Sequence, residues 1–407
     1  MRASICVVLV TACAVDTAIT SDELTTSEVW PQLGFGPAHT GANPDEAVLG
    51  AGNVGGLRVA WSATTGLRPG GVVVASGRAY VGSENNTLYA FDATTGRRVW
   101  RAFAGHDIAG TPGAAYGRVY FVSNDGFLYA VTSSTGVVAW KASVRPYPTA
   151  PVDSRRVSPT LYGGIAYVAV GSRLFAFAAG GCGAPTCGPV WYADVPLVLG
   201  SWQTPPVIGK GNVYAVGGTP GTSEAIDLYA FSLAGCTASP CAPVWRRTLG
   251  SELGGYVLPL GLVYSGGRVY LATNVAMFSV YADSGVPRWH RNGAGTGAPA
   301  VTGNIVYVPT ADGLFALDEY AGGATLWRSP AAAGAAWPPA VANGIVYTGL
   351  GDAGRLTAFA TFCASGGASC EPVWGDTVDG TRQQPAVVGG MVLVGNELSA
   401  TLRALSL

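Results

Sequence analysis

The chain has 407 residues, 49% apolar and only 12% charged, with 23 basic against 24 acidic side chains and a net charge of −1. A disordered chain needs few apolar residues and high net charge, so disorder is excluded, and the near-neutrality argues against a nucleic-acid or anionic-membrane partner. Lys occurs only at positions 141 and 210, while 59 Gly accompany many Val, Thr, Tyr and Trp. That is the vocabulary of short strands and tight turns, and it points to an all-β protein.

In chain order, residues 1–12 carry one positive charge at Arg2 and then an apolar stretch, the pattern of a secretory signal rather than of a membrane span. Val10-Thr11-Ala12-Cys13 resembles a bacterial lipobox, which would make Cys13 a lipidation site. Residues 13–29 are polar and acidic and are expected to form a tether. The remainder, 30–407, is expected to be the folded domain.

From there one pattern repeats. The tripeptide Leu or Met, any residue, Ala or Ser occurs eight times, beginning at Leu88, Leu128, Leu174, Leu228, Met277, Leu314, Leu356 and Leu402. A β-branched strand such as AYVGS or VYFVS precedes each copy. Six copies also have a Pro eight residues before that strand's Tyr or Leu: Pro112, Pro159, Pro206, Pro299, Pro339 and Pro385. Downstream of seven copies comes a turn and then a Trp, at 100, 140, 191, 245, 289, 327 and 374. Units of 37–54 residues with four short segments and Gly-containing turns, such as Asn124-Asp125-Gly126, have the grammar of a β-propeller blade.

The ends fix the count. The eighth copy stops at Leu407 without its Trp strand, and a matching strand, Leu57-Arg58-Val59-Ala60-Trp61, stands before the first full repeat. The expected fold is therefore an eight-bladed β-propeller of four-stranded antiparallel blades. It is closed by pairing the N-terminal strand with the C-terminal blade, which removes two exposed edges. A Trp at the same place in every blade is an inter-blade packing residue. Trp61, Trp100, Trp140, Trp191, Trp245, Trp289, Trp327 and Trp374 are accordingly assigned to docking.

Six of the eight Cys form local pairs, Cys182 with Cys187, Cys236 with Cys241 and Cys363 with Cys370, each shortly before a Pro-Val-Trp tripeptide. No His stands near any pair and the spacings lack a zinc-ribbon pattern, so disulfides across turns are expected. Disulfides require an oxidising compartment, which supports export independently of the leader.

The run AFDATTGRRVW at 90–100 resembles the tryptophan-docking motif of pyrroloquinoline-quinone (PQQ)-type propellers, with Ala90, Asp92, Thr95, Gly96 and Trp100 in register. Ala130, Thr135, Gly136 and Trp140 repeat it, and Gly285 with Trp289 and Gly323 with Trp327 keep the four-residue step. The opening Trp30-Pro31-Gln32 followed by Phe35-Gly36-Pro37-Ala38-His39-Thr40-Gly41 is also similar to this family. The resemblance spans about residues 30–407 and implies one of two classes: quinoprotein dehydrogenases, or non-catalytic envelope proteins of the BamB branch.

Quinone chemistry needs a divalent cation on oxygen ligands, a carboxylate base and planar groups clamping the quinone. The adjacent Cys pair common to that clamp is absent from the sequence, and Asp92, Asp125, Asp312 and Asp318 all occupy turn positions. His39, His106 and His290 show no metal-binding spacing, and no Gly-x-Ser-x-Gly elbow occurs. No catalytic residue, metal ligand or cofactor is therefore assigned, PQQ and calcium belonging only to the dehydrogenase alternative.

One candidate binding site remains. The segments entering the innermost strands border the central funnel and supply His106, Asp107, Arg155, Arg156, Trp202, Gln203, Tyr256, Trp337, Arg382 and Gln383. Trp, Tyr, Arg and Gln together suit recognition of a ligand or peptide. The expected function is a monomeric, exported scaffold for protein partners in the cell envelope. The alternatives are a PQQ-dependent oxidoreductase and a small-ligand or carbohydrate sensor.

Overall fold

The computed structural model describes residues 29–145, 152–153, 155, 157–196, 204–219, 222–236, 239–251, 256–330, 333–363, 369–376 and 380–407. Save for Val29, the expected leader and tether, Cys13 included, lie outside them. No helix of the described residues is long and apolar enough to cross a membrane.

Eight antiparallel blades follow one another, and in blades 1 to 7 the four strands neighbour one another in chain order. Blade 1 runs Pro69–Ala75, Arg78–Ser83, Thr87–Asp92 and Arg98–Phe103. Blades 2 to 7 repeat it, their first strands beginning at Gly113, Thr160, Val207, Pro259, Ala300 and Ala340. Blade 8 takes Ala386–Val388, Met391–Asn396 and Thr401–Ser406 from the C terminus and its outermost strand, Arg58–Thr64, from the other end of the chain. Trp61 lies opposite Ala404 and Ala63 opposite Leu402, as the missing eighth Trp strand requires. The first strands of successive blades touch in an unbroken circle from blade 1 round to blade 8 and back, so they line the axis.

Alternation builds the walls between blades. In blades 1 to 7 the second strand buries a Tyr (80, 120, 167, 214, 270, 307, 347) that leaves no more than 2% of its surface exposed. In several blades this Tyr meets the Trp of its own fourth strand: Tyr80 and Trp100 have centroids 5.7 Å apart, Tyr120 and Trp140 6.0 Å. Both polar tips then reach one carbonyl in the next blade. Trp100 Nε1 and Tyr80 Oη donate to Ser133 O at 2.9 and 3.3 Å, and Trp140 and Tyr120 donate to Ala179 O at 3.2 and 2.9 Å. A carbonyl has two lone pairs, so a single acceptor satisfies both buried donors.

At Trp61, Trp100, Trp140, Trp245 and Trp289 a turn Gly of the following blade packs closely against the indole. A Cβ on Gly136 would come within 2.5 Å of Trp100, which is why the repeat holds Gly there. Blade 5 departs from this pattern. Trp289 donates to the buried Glu319 carboxylate at 3.0 Å, and Arg268 and Arg288 neutralise that charge.

The disulfides do more than close hairpins. Each spans the connection between the third and fourth strands of its blade, and that loop reaches back to the outer strand of the preceding blade. Thr186 and Cys187 pair in parallel with Lys141 and Ala142, Cys241 N donates to Tyr192 O at 2.8 Å, and Cys370 N donates to Arg328 O at 2.7 Å. Lys141, Tyr192 and Arg328 each follow the docking Trp directly. The loops therefore clasp the same position on the outer edges of blades 2, 3 and 6.

The inner edge is stitched by residues 30–43, which form a strap round one end of the channel. Trp30 exchanges two 2.8 Å hydrogen bonds with Val74 of blade 1. The carbonyls of Pro31, Pro37, Ala38, Thr40 and Gly41 then accept from Ala114, Ile208, Tyr264, Val301 and Val341 at 2.7–2.8 Å, in blades 2, 4, 5, 6 and 7. Blade 3 is reached by a side chain, Gln32 Oε1 accepting from Leu161 N at 2.8 Å, and blade 8 by Asn43 Nδ2 donating to Val387 O at 2.8 Å. All eight contacts fall on equivalent residues near the end of the first strands.

Candidate functional site

The strap turns the channel into a cavity with a floor. The space is about 530 Å³, floored by Leu33, Gly34 and His39 and walled by the connections that enter the first strands. Gly34 is in the left-handed region, and a Cβ there would fall 2.4 Å from His39 Cα, so the floor is tightly folded. Gln384 ties it to the wall, accepting from Gly34 N at 2.9 Å and donating to Pro339 O at 2.7 Å.

Burial pushes the His39 imidazole down to a pKa of about 3, so the ring is neutral under physiological conditions. Its Nε2 lies 3.1 Å from Thr160 Oγ1, whose own proton is directed to Pro206 O at 2.6 Å. Thr160 therefore accepts from the imidazole N–H. This polarity is the reverse of a His activating a hydroxyl nucleophile, and it fits a structural tie between strap and blades.

The wall carries charges of both signs. Arg155 and Asp153 form a 3.0 Å pair, and Asp153, with smaller contributions from Glu84 and Asp107, raises the Arg155 pKa further. Arg68 stands 3.9 Å from Glu397, which also accepts from Gln383 Nε2 at 3.1 Å. The Arg382 guanidinium lies over the Trp337 ring, 5.4 Å from its centroid, and donates to Asp352 O. Its buried Nε has no hydrogen-bond partner. Trp337 is oriented by its indole N–H, which donates to Gly351 O at 3.2 Å. The site thus offers a cation on an aromatic platform facing paired charges, which suits holding a small polar molecule rather than breaking a bond.

Of the residues expected at the funnel, Arg155, Trp337, Arg382 and Gln383 come together in this lining. His106, Asp107 and Tyr256 do not line it, although the Asp107 charge is felt at Arg155. Arg156, Trp202 and Gln203 lie outside the described residues. His39, Arg68, Glu84, Gln384 and Glu397 were not foreseen. Glu84 and Glu397 sit at the turn after the second strand of their blades, a position that the repeat pattern itself could have flagged.

A quinone site of the kind the fold family implies needs oxygen ligands converging on a divalent cation. Among the described residues no three His, Cys, Asp or Glu side chains cluster closely enough to hold one. Asp153 and Glu397 are instead engaged by Arg155, Arg68 and Gln383. The described donor set does not fit the group.

The family model described as "Outer membrane protein assembly factor BamB" matches residues 22–228 and 314–406. Among solved structures, BamB from Moraxella catarrhalis superposes with a TM-score of 0.65 at 13% identity, covering 86% of this chain and 98% of that one. The quinohemoprotein alcohol dehydrogenase from Comamonas testosteroni gives 0.70 at 15% identity, covering 96% and 82%. The computationally designed Ika8 protein gives 0.63 at 12% identity, covering 85% and 99%. At such identities these structures establish the shared fold and nothing finer. No curated protein matches by sequence.

Proposed function

This chain belongs to the BamB family of PQQ-like repeat propellers, and on that premise we propose that it is an extracytoplasmic scaffold that binds protein partners in the cell envelope without catalysing a reaction. The observation that carries this reading is the state of the axial channel. The strap bonds all eight blades across its floor, and on the wall Arg155 pairs with Asp153 and Arg68 with Glu397 instead of these carboxylates converging on a reacting atom. What is left free to act is the outer surface of a stiff disc. The three disulfides support an oxidising compartment, and the family's description as an assembly factor supports protein partners. Cys13 is proposed as the lipid anchor, and mass spectrometry of the mature amino terminus tests this: an unmodified start downstream of Cys13 removes it.

Cross-linking in intact cells followed by identification of the partner tests the scaffold reading, with a specific envelope protein as the expected product. Saturable binding of PQQ with calcium, accompanied by dye reduction, would overturn it in favour of a dehydrogenase. The unpartnered Arg382 Nε beside Trp337 favours a second reading, in which the cavity senses a small polar ligand. Loss of a ligand-induced melting shift in Trp337→Ala is the expected sign of it.

A further inference from the structure

The clasps show what the outer edge of a blade accepts. Three times in this molecule a short extended segment lies alongside a fourth strand at the residue after the docking Trp, and at blade 2 it does so as a parallel two-residue ladder. In that ladder Lys141 N donates to Pro185 O at 2.9 Å, so the backbone at this position faces outward. Blade 1 has the same register, with Arg101 in the place of Lys141 and Trp100 in the place of Trp140. Its following blade, however, has only the tight turn from Thr132 to Val137, which bonds to itself. Among the described residues, the strand Arg98–Phe103 is therefore left without a clasp.

Its chemistry differs from that of the unclasped edges of blades 4 and 5, where an arginine is neutralised by a buried carboxylate, Arg246 by Asp227 and Arg288 by Glu319. In blade 1, Arg97, Arg98 and Arg101 are exposed, and no ion pair involves them among the described residues. Beside them Val99 is 39% and Phe103 60% exposed, with the Arg101 guanidinium 5.0 Å from the Phe103 ring centroid. Three unneutralised cations keep a second copy of this same edge away and attract the opposite charge.

We propose that the outer edge of blade 1 is a strand-addition site for an extended acidic segment of a partner protein. That segment runs parallel to Arg98–Phe103, its backbone pairing with the open edge and its carboxylates meeting Arg98 and Arg101. The proposal rests on the scaffold reading and names the chemistry of the partner.

Fluorescence anisotropy with a labelled, end-blocked Glu-Val-Glu-Val-Glu-Val peptide tests it. Two control peptides accompany it, one with Lys in place of Glu and one acidic peptide N-methylated at alternate residues. The acidic peptide is expected to bind saturably. Binding should be at least about tenfold weaker for both controls and for Arg98→Glu/Arg101→Glu, partly weakened in Arg101→Gln, and unchanged in Lys141→Glu on the clasped edge. Equal binding of the N-methylated peptide, an unchanged Arg98→Glu/Arg101→Glu variant that melts like the parent, or no saturation would overturn the proposal. A partner captured by cross-linking equally well in Arg98→Glu/Arg101→Glu would leave the scaffold reading standing and remove this edge from it. Peptide binding without any envelope partner would do the reverse.

Discussion

The inner and outer rims of the ring are finished differently. At the inner rim every first strand is bonded by one continuous strap, residue after residue, from Val74 in blade 1 to Val387 in blade 8. At the outer rim blades 2, 3 and 6 are covered by disulfide loops, and blade 1 keeps an open, basic edge. Both devices add backbone hydrogen bonds to a strand that would otherwise end a sheet. The difference is that the inner rim is closed completely and the outer rim selectively. A ring stitched at its centre can leave an edge available without loosening, because inter-blade packing does not depend on that edge.

The largest effect is expected where both rims depend on packing. Trp140→Ala removes a nearly buried indole and leaves the Ala179 carbonyl with one donor, and should cost about 3–5 kcal/mol, read as a drop in melting temperature. Gly34→Ala attacks the inner rim alone. Positive φ and the approach to His39 should make it cost on the order of 3 kcal/mol, with faster amide exchange along the strap.

Acid should act on the same place. The His39 pKa is depressed from 6.5 to about 3, so the unfolded chain takes up a proton that the folded one refuses. Its stabilising contribution is complete above pH ~6.5 and is lost as the pH falls toward ~3, with about 3 kcal/mol gone by pH ~4. Melting curves between pH 7 and 4 should show that slope, and His39→Gln should flatten it. Smallest is the outer rim: replacing Cys182 and Cys187 by Ala should cost about 2 kcal/mol and turn blade 2 into an edge like that of blade 1. Proteolytic and exchange protection would fall at Lys141 and stay unchanged at Arg101.

The sequence made the ring legible because propeller repeats mark themselves. Leu-x-Ala and Trp recur at fixed offsets, and the mismatch of eight against seven disclosed that Arg58–Thr64 belongs to the last blade. The funnel was partly legible for the same reason: Arg155, Trp337, Arg382 and Gln383 lie shortly before the first strands. The strap was seen only as an opening segment. Its function resides in carbonyls of Pro31, Pro37 and Gly41, and backbone acceptors leave no side-chain signal. The clasps were half seen, since Cys spacing reports that a loop is closed and not which neighbouring strand it lies on. Glu319 was invisible because it stands at the repeat position held by Ser133 in blade 2 and takes over from that carbonyl with its side chain.

Amide hydrogen exchange at single-residue resolution compares the two rims in one experiment. The amides of Ala114, Ile208, Tyr264, Val301 and Val341, bonded to the strap, should rank among the slowest, Lys141 beneath its clasp should be intermediate, and Arg101 on the open edge should be fast. Exchange at the strap-bonded amides as rapid as at Arg101, or protection of Arg101 equal to that of Lys141, would contradict a ring closed at its centre and open at blade 1.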